Sequence, residues 1–137
     1  MLSLEERETL IQKALVARQW AYAPYSEYAV GAALLAESGN TYTGANIENA
    51  AYPVSICAER VAVFAAVHQG ERNFRAIAVA TENGGAPCGS CRQVLAEFGL
   101  ETQVLIVDAR GEVTKEMRLG ELLPDAFTPA DLQSRDA

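Results

Sequence analysis

All three cysteines of this 137-residue chain lie in two short motifs. Cys57 is followed two residues later by Glu59, and Cys88 and Cys91 form a Cys-x-x-Cys pair. A zinc ion that acts in catalysis is usually held by three protein ligands, with the fourth position left for water. A fold that unites both motifs would therefore create an open zinc site. A closed structural site would need a fourth ligand, for which His68 is the only histidine.

Both cysteine motifs are predicted to lie at helix starts, directly after loops. The positive end of a helix dipole lowers the pKa of a thiol, so this setting favours thiolate. One zinc ion with three thiolates carries a net negative charge, which Arg60, one helical turn after Cys57, could compensate by hydrogen-bonding a sulfur. Alone, the Cys88 and Cys91 spacing is equally compatible with metal binding and redox chemistry, and Cys57 alone would more often be a core residue. The combination of both motifs favours metal.

Glu59 is the acid–base candidate of the first motif. Most glutamates lie on solvated surfaces, but Glu59 occurs within a strongly apolar stretch, residues 56–67. Two residues correspond to about 200° around an ideal helix. The spacing from Cys57 alone therefore does not place this carboxylate beside the metal.

The pattern of apolar residues and turn signals predicts one α/β domain over residues 1–137. The order of elements predicts a three-layer sandwich, with a mixed five-stranded sheet and helices on both faces. The chain after Thr128 is polar and is expected to fray. The predicted elements are a helix from the capping box of Ser3 and Glu6 to a stop imposed by Pro24, a hairpin of strands 28–36 and 41–47, a helix over 57–69, a buried strand over 74–80, a helix over 88–98, strands 102–107 and 112–117, and a helical turn near 119–123.

Composition narrows the classes of partner. The chain has a net charge of −7, and its 11 lysines and arginines are scattered singly, which argues against a polynucleotide substrate. The N-terminal residues show no signal-peptide pattern, and no apolar run approaches the ~20 residues of a membrane span. An odd number of cysteines poorly suits a disulfide framework. We therefore expect a cytoplasmic protein without membrane or nucleic-acid partners, whose thiols stay available for metal.

Six segments extend the pattern beyond the two cysteine motifs. They are Ala21-Tyr22-Ala23-Pro24-Tyr25-Ser26, Val30-Gly31-Ala32-Ala33-Leu34-Leu35, Gly44-Ala45-Asn46-Ile47-Glu48-Asn49-Ala50, Cys57-Ala58-Glu59-Arg60, Pro87-Cys88-Gly89-Ser90-Cys91-Arg92-Gln93 and Glu121-Leu122-Leu123-Pro124-Asp125-Ala126-Phe127. Together these segments resemble the small homotetrameric cytidine deaminases. The resemblance covers nearly the whole chain in the same order, and it is more specific than the general zinc-deaminase signature.

The resemblance implies a cytidine deaminase-like fold with one Zn²⁺ per chain, held by Cys57, Cys88 and Cys91. It implies hydrolytic deamination of cytidine and deoxycytidine to uridine and deoxyuridine in pyrimidine salvage. Glu59 would take a proton from a zinc-activated water, deliver it to N3 of the cytosine ring, and pass a second proton to the departing ammonia. The implied substrate contacts are Tyr28, Asn46, Glu48, Tyr52, Ala58 and Phe127.

Four of these contacts have more specific implied roles. Asn46 and Glu48 would bind the 3′ hydroxyl of the ribose, and their i, i+2 spacing on a strand places both on one face. Tyr28 occupies a position where the family commonly has phenylalanine, so a ring beside the pyrimidine would carry an added hydroxyl. Phe127 resembles the aromatic residue that reaches into a neighbouring subunit, which implies a homotetramer with shared active sites.

The sequence leaves three alternative functions open. Related deaminases act on other aminopyrimidines, such as blasticidin S. A thiol–disulfide oxidoreductase could use Cys88 and Cys91 at a helix start, although it leaves Cys57 and Glu59 without a role. A module that is only braced by zinc would tolerate Glu59→Ala.

Overall fold

The computed structural model describes residues 1–133, which form an α/β fold around one sheet. The elements are α1 (Leu4–Arg18), β1 (Gly31–Ala36), β2 (Thr41–Ala45), a 3₁₀ turn (Tyr52–Val54), α2 (Ala58–His68), β3 (Phe74–Ala80), α3 (Gly89–Ala96), β4 (Gln103–Val107), β5 (Val113–Arg118), α4 (Leu119–Leu122) and α5 (Pro129–Gln133).

The sheet has the order β2-β1-β3-β4-β5. Only β3 and β4 are parallel, and the other neighbours are antiparallel. The central strand β3 is buried almost throughout, as its continuous apolar sequence predicts. The predicted mixed five-stranded sheet is therefore confirmed.

Helices cover both faces of this sheet. On one face, α1 buries Leu10 and Ala14 against Ala33 and Leu35 of β1. On the other face, α2 and α3 pack against the alternate residues of the same strands, including Leu34. This alternation follows from the two-residue period of a strand. It produces the three predicted layers and leaves the starts of α2 and α3 on the same side of the sheet.

Two glycines set how closely the helices approach the sheet. A Cβ on Gly31 would lie 2.1 Å from the carbonyl oxygen of Ala14 in α1, and one on Gly44 would lie 2.6 Å from that of Ala58 in α2. Both distances are far below any normal contact. Helix α2 can therefore lie against β2 only because position 44 has no side chain, and this contact fixes where α2 begins.

The element boundaries differ from the predicted ones where long-range contacts intervene. The capping box of Ser3 and Glu6 is present, but α1 ends at Arg18, so Pro24 is not what stops it. The reason is that Tyr22 leaves the helical path to pair with Ile47 in a parallel bridge. The hairpin strands are likewise shorter than predicted, because residues 28–30 and 46–47 lie outside the ladder.

The C-terminal segment also departs from the expectation. Instead of fraying after Thr128, the chain forms the short helix Pro129–Gln133. Thr128 begins this turn, since its backbone N–H donates to the carboxylate of Asp131 at 2.8 Å. The remaining part of the predicted frayed tail, residues 134–137, lies outside the described residues.

Candidate metal centre and active site

The two helix starts bring the three cysteine sulfurs together. Cys57 is the N-cap residue of α2, and Cys88 is that of α3. The Sγ atom of Cys88 lies 3.9 Å from that of Cys57 and 3.5 Å from that of Cys91, and all three lie within 4.8 Å of one another. Zinc–sulfur bonds of about 2.3 Å in a tetrahedral site put the sulfurs about 3.8 Å apart. The cluster therefore fits one zinc ion held by three thiolates.

The sulfurs differ in their surroundings. Cys91 is fully buried, Cys57 is partly buried and Cys88 is exposed. A hydrogen bond from Cys91, and then one from Arg60, lower the pKa of Cys57 to about 5 despite its partial burial. The pKa of Cys91 is raised because its thiol donates to Cys57 and is buried. A divalent ion bound here would displace the proton that these thiols share.

Arg60 contacts the cluster directly. Its Nη2 atom donates a hydrogen bond to Cys57 Sγ at 3.1 Å, which is the contact expected from one helical turn of separation. The thiolate of Cys57 raises the pKa of Arg60, first through this hydrogen bond. A fixed positive charge therefore lies beside the sulfurs, where a site of three thiolates carries excess negative charge.

Glu59 is the second residue of α2, and only 4% of its surface is exposed. Cys57 has extended backbone angles (φ −78°, ψ 151°), so the 200° separation of an ideal helix does not apply to this pair. Burial raises the pKa of the Glu59 carboxyl, and the negative charge of Cys57 raises it further. The cap geometry thus supplies what the spacing did not, a buried carboxyl beside the sulfurs.

Glu59 and two of the cysteines open onto a cavity of about 270 Å³. Its apolar wall includes Val30 and Val79, and its polar wall includes residues from the segment before β1 and from the segment after β2. Six of the residues predicted for the site line this one cavity: Tyr28, Asn46, Glu48, Cys57, Glu59 and Cys88.

Asn46 and Glu48 also hold the loop in front of β1. The side chain of Asn46 accepts from the backbone N–H of Val30 at 2.9 Å and donates to the carbonyl of Tyr28 at 2.8 Å. Glu48 accepts hydrogen bonds from the hydroxyl and the backbone N–H of Ser26. These hydrogen bonds lower the pKa of Glu48, with the serine hydroxyl contributing most. This wall of the cavity is therefore a hydrogen-bonded segment that carries a carboxylate.

The other predicted contacts lie outside this cavity in the single chain. Tyr52 packs against Tyr25, with ring centroids 5.6 Å apart, and lines a neighbouring cavity of about 350 Å³ that shares Ser26 and Glu48 with the first. Ala58 is fully buried in the core. Phe127 is 57% exposed, and its carbonyl accepts a hydrogen bond from the Gln93 side chain of α3 at 2.8 Å.

Sequence reasoning missed the other residues that line the zinc-site cavity, among them Ser26, Thr81 and Gly85. Ser26 lies between the two cavities, while Thr81 and Gly85 line the first one. Ser26 belongs to a segment already noted for its family resemblance, and this is the signal that could have identified it. Thr81 and Gly85 follow β3, and only the folded chain places that loop opposite Tyr28.

Three thiols with a buried carboxyl beside them, on one side of a small cavity in a three-layer α/β/α sandwich, define the class of zinc-dependent deaminases. Residues 4–107 match the family model described as the cytidine and deoxycytidylate deaminase zinc-binding region. The chain belongs to the cytidine deaminase family.

Individual relatives agree with this assignment over nearly full length. A cytidine deaminase from Sporosarcina psychrophila is 48% identical, over 91% of this chain and 93% of that protein. One from Halalkalibacterium halodurans is 47% identical, over 93% of this chain and 98% of that protein. The crystal structure of cytidine deaminase from Burkholderia pseudomallei superposes with a TM-score of 0.83 at 46% identity, covering 88% of this chain and 98% of that one.

These findings also bear on the remaining predictions. The zinc-binding family and the three-cysteine cluster together confirm the predicted zinc cofactor. Three sulfurs converge rather than two, which does not support a simple Cys-x-x-Cys oxidoreductase. Within residues 1–133, none of the helices combines the length and apolar character needed to cross a membrane.

Proposed function

We propose that this chain catalyses the hydrolytic deamination of cytidine and deoxycytidine to uridine and deoxyuridine, with release of ammonia. One zinc ion would be held by Cys57, Cys88 and Cys91. The observation that carries the proposal is the buried carboxyl of Glu59 beside the three sulfurs, open to a cavity of nucleoside size. The family assignment and the named relatives give the same reaction.

A zinc ion held by Cys57, Cys88 and Cys91 would supply a Lewis acid that makes water acidic enough to react at neutral pH. Glu59 would take one proton of the attacking water as its oxygen bonds to C4 of the cytosine ring, and would give this proton to N3. Glu59 would then take the remaining proton of the same oxygen and give it to the amino nitrogen. The bond between C4 and that nitrogen breaks, ammonia leaves, and C4 keeps a carbonyl oxygen. Burial raises the pKa of Glu59, which brings it closer to the working pH and suits a group that must both accept and donate protons.

The charges of the cavities support a nucleoside rather than a nucleotide. Among the described residues, neither lysine nor arginine lines the zinc-site cavity or the neighbouring one. Glu48, whose pKa is lowered, places a negative charge between them. A 5′-phosphate would meet this charge without a cation to pair with. We therefore assign cytidine rather than deoxycytidylate, although the family description includes both.

The proposal gives the lining residues specific roles. The ring of Tyr28 would stack on the pyrimidine, and Asn46 and Glu48 would bind the ribose 3′ hydroxyl. Tyr52 would contact the sugar side from the neighbouring cavity. Ala58, at the start of α2, would present backbone to the base beside the metal. Arg60 would offset the negative charge of the zinc site through its contact with Cys57.

Assembly and location complete the proposal. We infer a single domain over residues 1–137 that forms a homotetramer, in which Phe127 of one subunit reaches the active site of another. The exposure of Phe127 supports this role. We also place the protein in the cytoplasm, in pyrimidine salvage, because three free cysteines need a reducing compartment to remain metal ligands.

A substrate panel on the zinc-loaded protein tests the function. We expect release of ammonia from cytidine and deoxycytidine, and little or none from deoxycytidylate or blasticidin S. Metal analysis should find one zinc per chain. Preference for blasticidin S would replace the substrate assignment, whereas no turnover of any aminopyrimidine by the zinc-loaded protein would refute the deaminase. Sedimentation analysis would test the tetramer independently, and a monomer with full activity would exclude shared sites.

A further inference from the structure

The hydroxyl of Tyr28 has a specific partner in the loop that leads to the zinc ligands. Tyr28 Oη donates a hydrogen bond to Asn83 Oδ1 at 2.8 Å, across 55 positions of sequence. Tyr28 lines the zinc-site cavity, whereas Asn83 does not. Asn83 therefore holds the side chain of Tyr28 from a position outside the cavity.

Gly85 leaves the space that this hydroxyl occupies. A Cβ on Gly85 would lie 2.8 Å from Tyr28 Oη, while its next contacts, with Asn83 and Thr81, would be at 3.5 and 4.0 Å. The backbone of Gly85 is not in the left-handed region. The tyrosine hydroxyl is thus the one close obstacle to a side chain at position 85.

The loop itself is anchored to the sheet. The backbone N–H of Gly85 donates to the buried hydroxyl of Thr81 at 2.8 Å, and Thr114 Oγ1 of β5 donates to the carbonyl of Gly84 at 3.2 Å. Three residues after Gly85, the same loop reaches Cys88. Tyr28 is therefore tied to a fixed support rather than to a free loop.

We propose that Asn83 is a positioning residue for the substrate, acting through Tyr28, and that Gly85 accommodates the pair. This inference rests on the proposed function, because it takes the Tyr28 ring to be a face against which the pyrimidine binds. The hydrogen bond to Asn83 holds that ring in one orientation before substrate arrives. Preorganisation of this kind strengthens binding by reducing the ordering cost at the moment of association.

Kinetics of Asn83→Ala test the positioning role. We expect the KM for cytidine to rise about two- to tenfold, the effect of losing one neutral hydrogen bond, while kcat stays within about twofold. Y28F should raise KM similarly, and the double variant should be no worse than the more severe single variant. Asn83→Asp should restore binding because a carboxylate accepts the same hydrogen bond. Asn73→Ala, at the opposite end of β3, is the matched control and should leave both constants unchanged.

A steric exchange tests the geometry, and one of its two readouts, the unfolding temperature, does not depend on turnover. Gly85→Ala should lower the unfolding temperature and raise KM in the wild type, because the new methyl displaces the tyrosine hydroxyl. In Y28F, which lacks that hydroxyl, the same methyl should fit, so Gly85→Ala should cost less on both measures.

These experiments distinguish failure of the positioning role of Asn83 from failure of the proposed deaminase function. If the wild type deaminates cytidine but Asn83→Ala keeps wild-type KM, the positioning role is overturned and the deaminase stands. Loss of zinc or of kcat in Asn83→Ala would show a structural role and would also overturn it. If the wild type does not act on cytidine, the proposed function fails. The contact between Gly85 and the Tyr28 hydroxyl is tested separately: an equal loss of unfolding temperature on Gly85→Ala in the wild type and in Y28F would overturn it.

Discussion

Replacement of Glu59 by glutamine removes the proposed proton carrier with little change in shape. The side chain is 4% exposed at the second position of α2, so the amide should occupy the same space. An amide cannot take a proton from water or pass one to N3. We therefore expect a zinc-loaded, folded protein that binds cytidine and barely converts it.

The expected loss can be given a magnitude. Positioned acid–base groups contribute about 10²- to 10⁴-fold to rate. Glu59 serves both the attack and the departure, so the upper end applies, which corresponds to about 5.4 kcal/mol of transition-state stabilisation. The free energy of unfolding should not fall with the activity: at pH values above the folded-state pKa of Glu59, the glutamine variant should be the more stable of the two proteins. Because burial raises the folded-state pKa of Glu59, the wild type loses stability as pH rises through that pKa, whereas the glutamine variant does not.

Initial rates of ammonia release, together with zinc content and unfolding temperature, test this expectation. Glu97→Gln, an exposed glutamate at the end of α3, is the matched control and should behave as wild type. A loss of less than tenfold in kcat, with zinc retained, would refute the assignment of Glu59 as the proton carrier. A large drop in unfolding temperature would refute the reasoning on burial.

Three further changes probe the metal, the fold and the surface charges. Cys91→Ala removes the fully buried ligand, so zinc should be lost on dialysis and activity with it. Gly44→Ala places a Cβ against the backbone of α2, which cannot yield as a side chain could, so unfolding should become easier by about 3 kcal/mol. Glu6 forms an ion pair with Arg75 at 2.6 Å, and the hydrogen bond from Arg75 lowers the pKa of Glu6 from 4.5 to about 2. The contribution of this pair to stability is therefore present above pH 4.5 and is lost as pH falls towards 2. Glu6→Gln should therefore differ from wild type in unfolding temperature at pH 6 and converge with it towards pH 2.

Each of these expectations has a contrary result. Stoichiometric zinc in Cys91→Ala, measured by metal analysis, would mean that another group completes the site. A wild-type denaturation midpoint for Gly44→Ala would mean that α2 can shift away from β2. A constant difference between Glu6→Gln and wild type across the acid range would exclude the ion pair with Arg75 as a source of pH dependence.

Local signals in the sequence predicted local structure well. Ser3 and Glu6 act within one helical turn, and the capping box they predict is present. The predicted end of the same helix was wrong. The observed end depends on the pairing of Tyr22 with Ile47, and these residues meet only after the sheet forms. The apolar run of β3 predicted a strand covered on both faces, and the strand is buried almost throughout.

For the site, the sequence by itself determined the chemical groups: three thiols at two helix starts, a carboxyl two residues from the first, and an arginine one turn beyond it. The tertiary structure decided their convergence, because α2 and α3 pack on the same face of the sheet and bring together sulfurs 31 positions apart. The tertiary structure also decided the position of the Glu59 carboxyl, through the extended backbone of the cap residue Cys57. It likewise decided the hydrogen bond between Tyr28 and Asn83. Such contacts depend on how layers pack, and no pattern within a few residues of sequence contains that information.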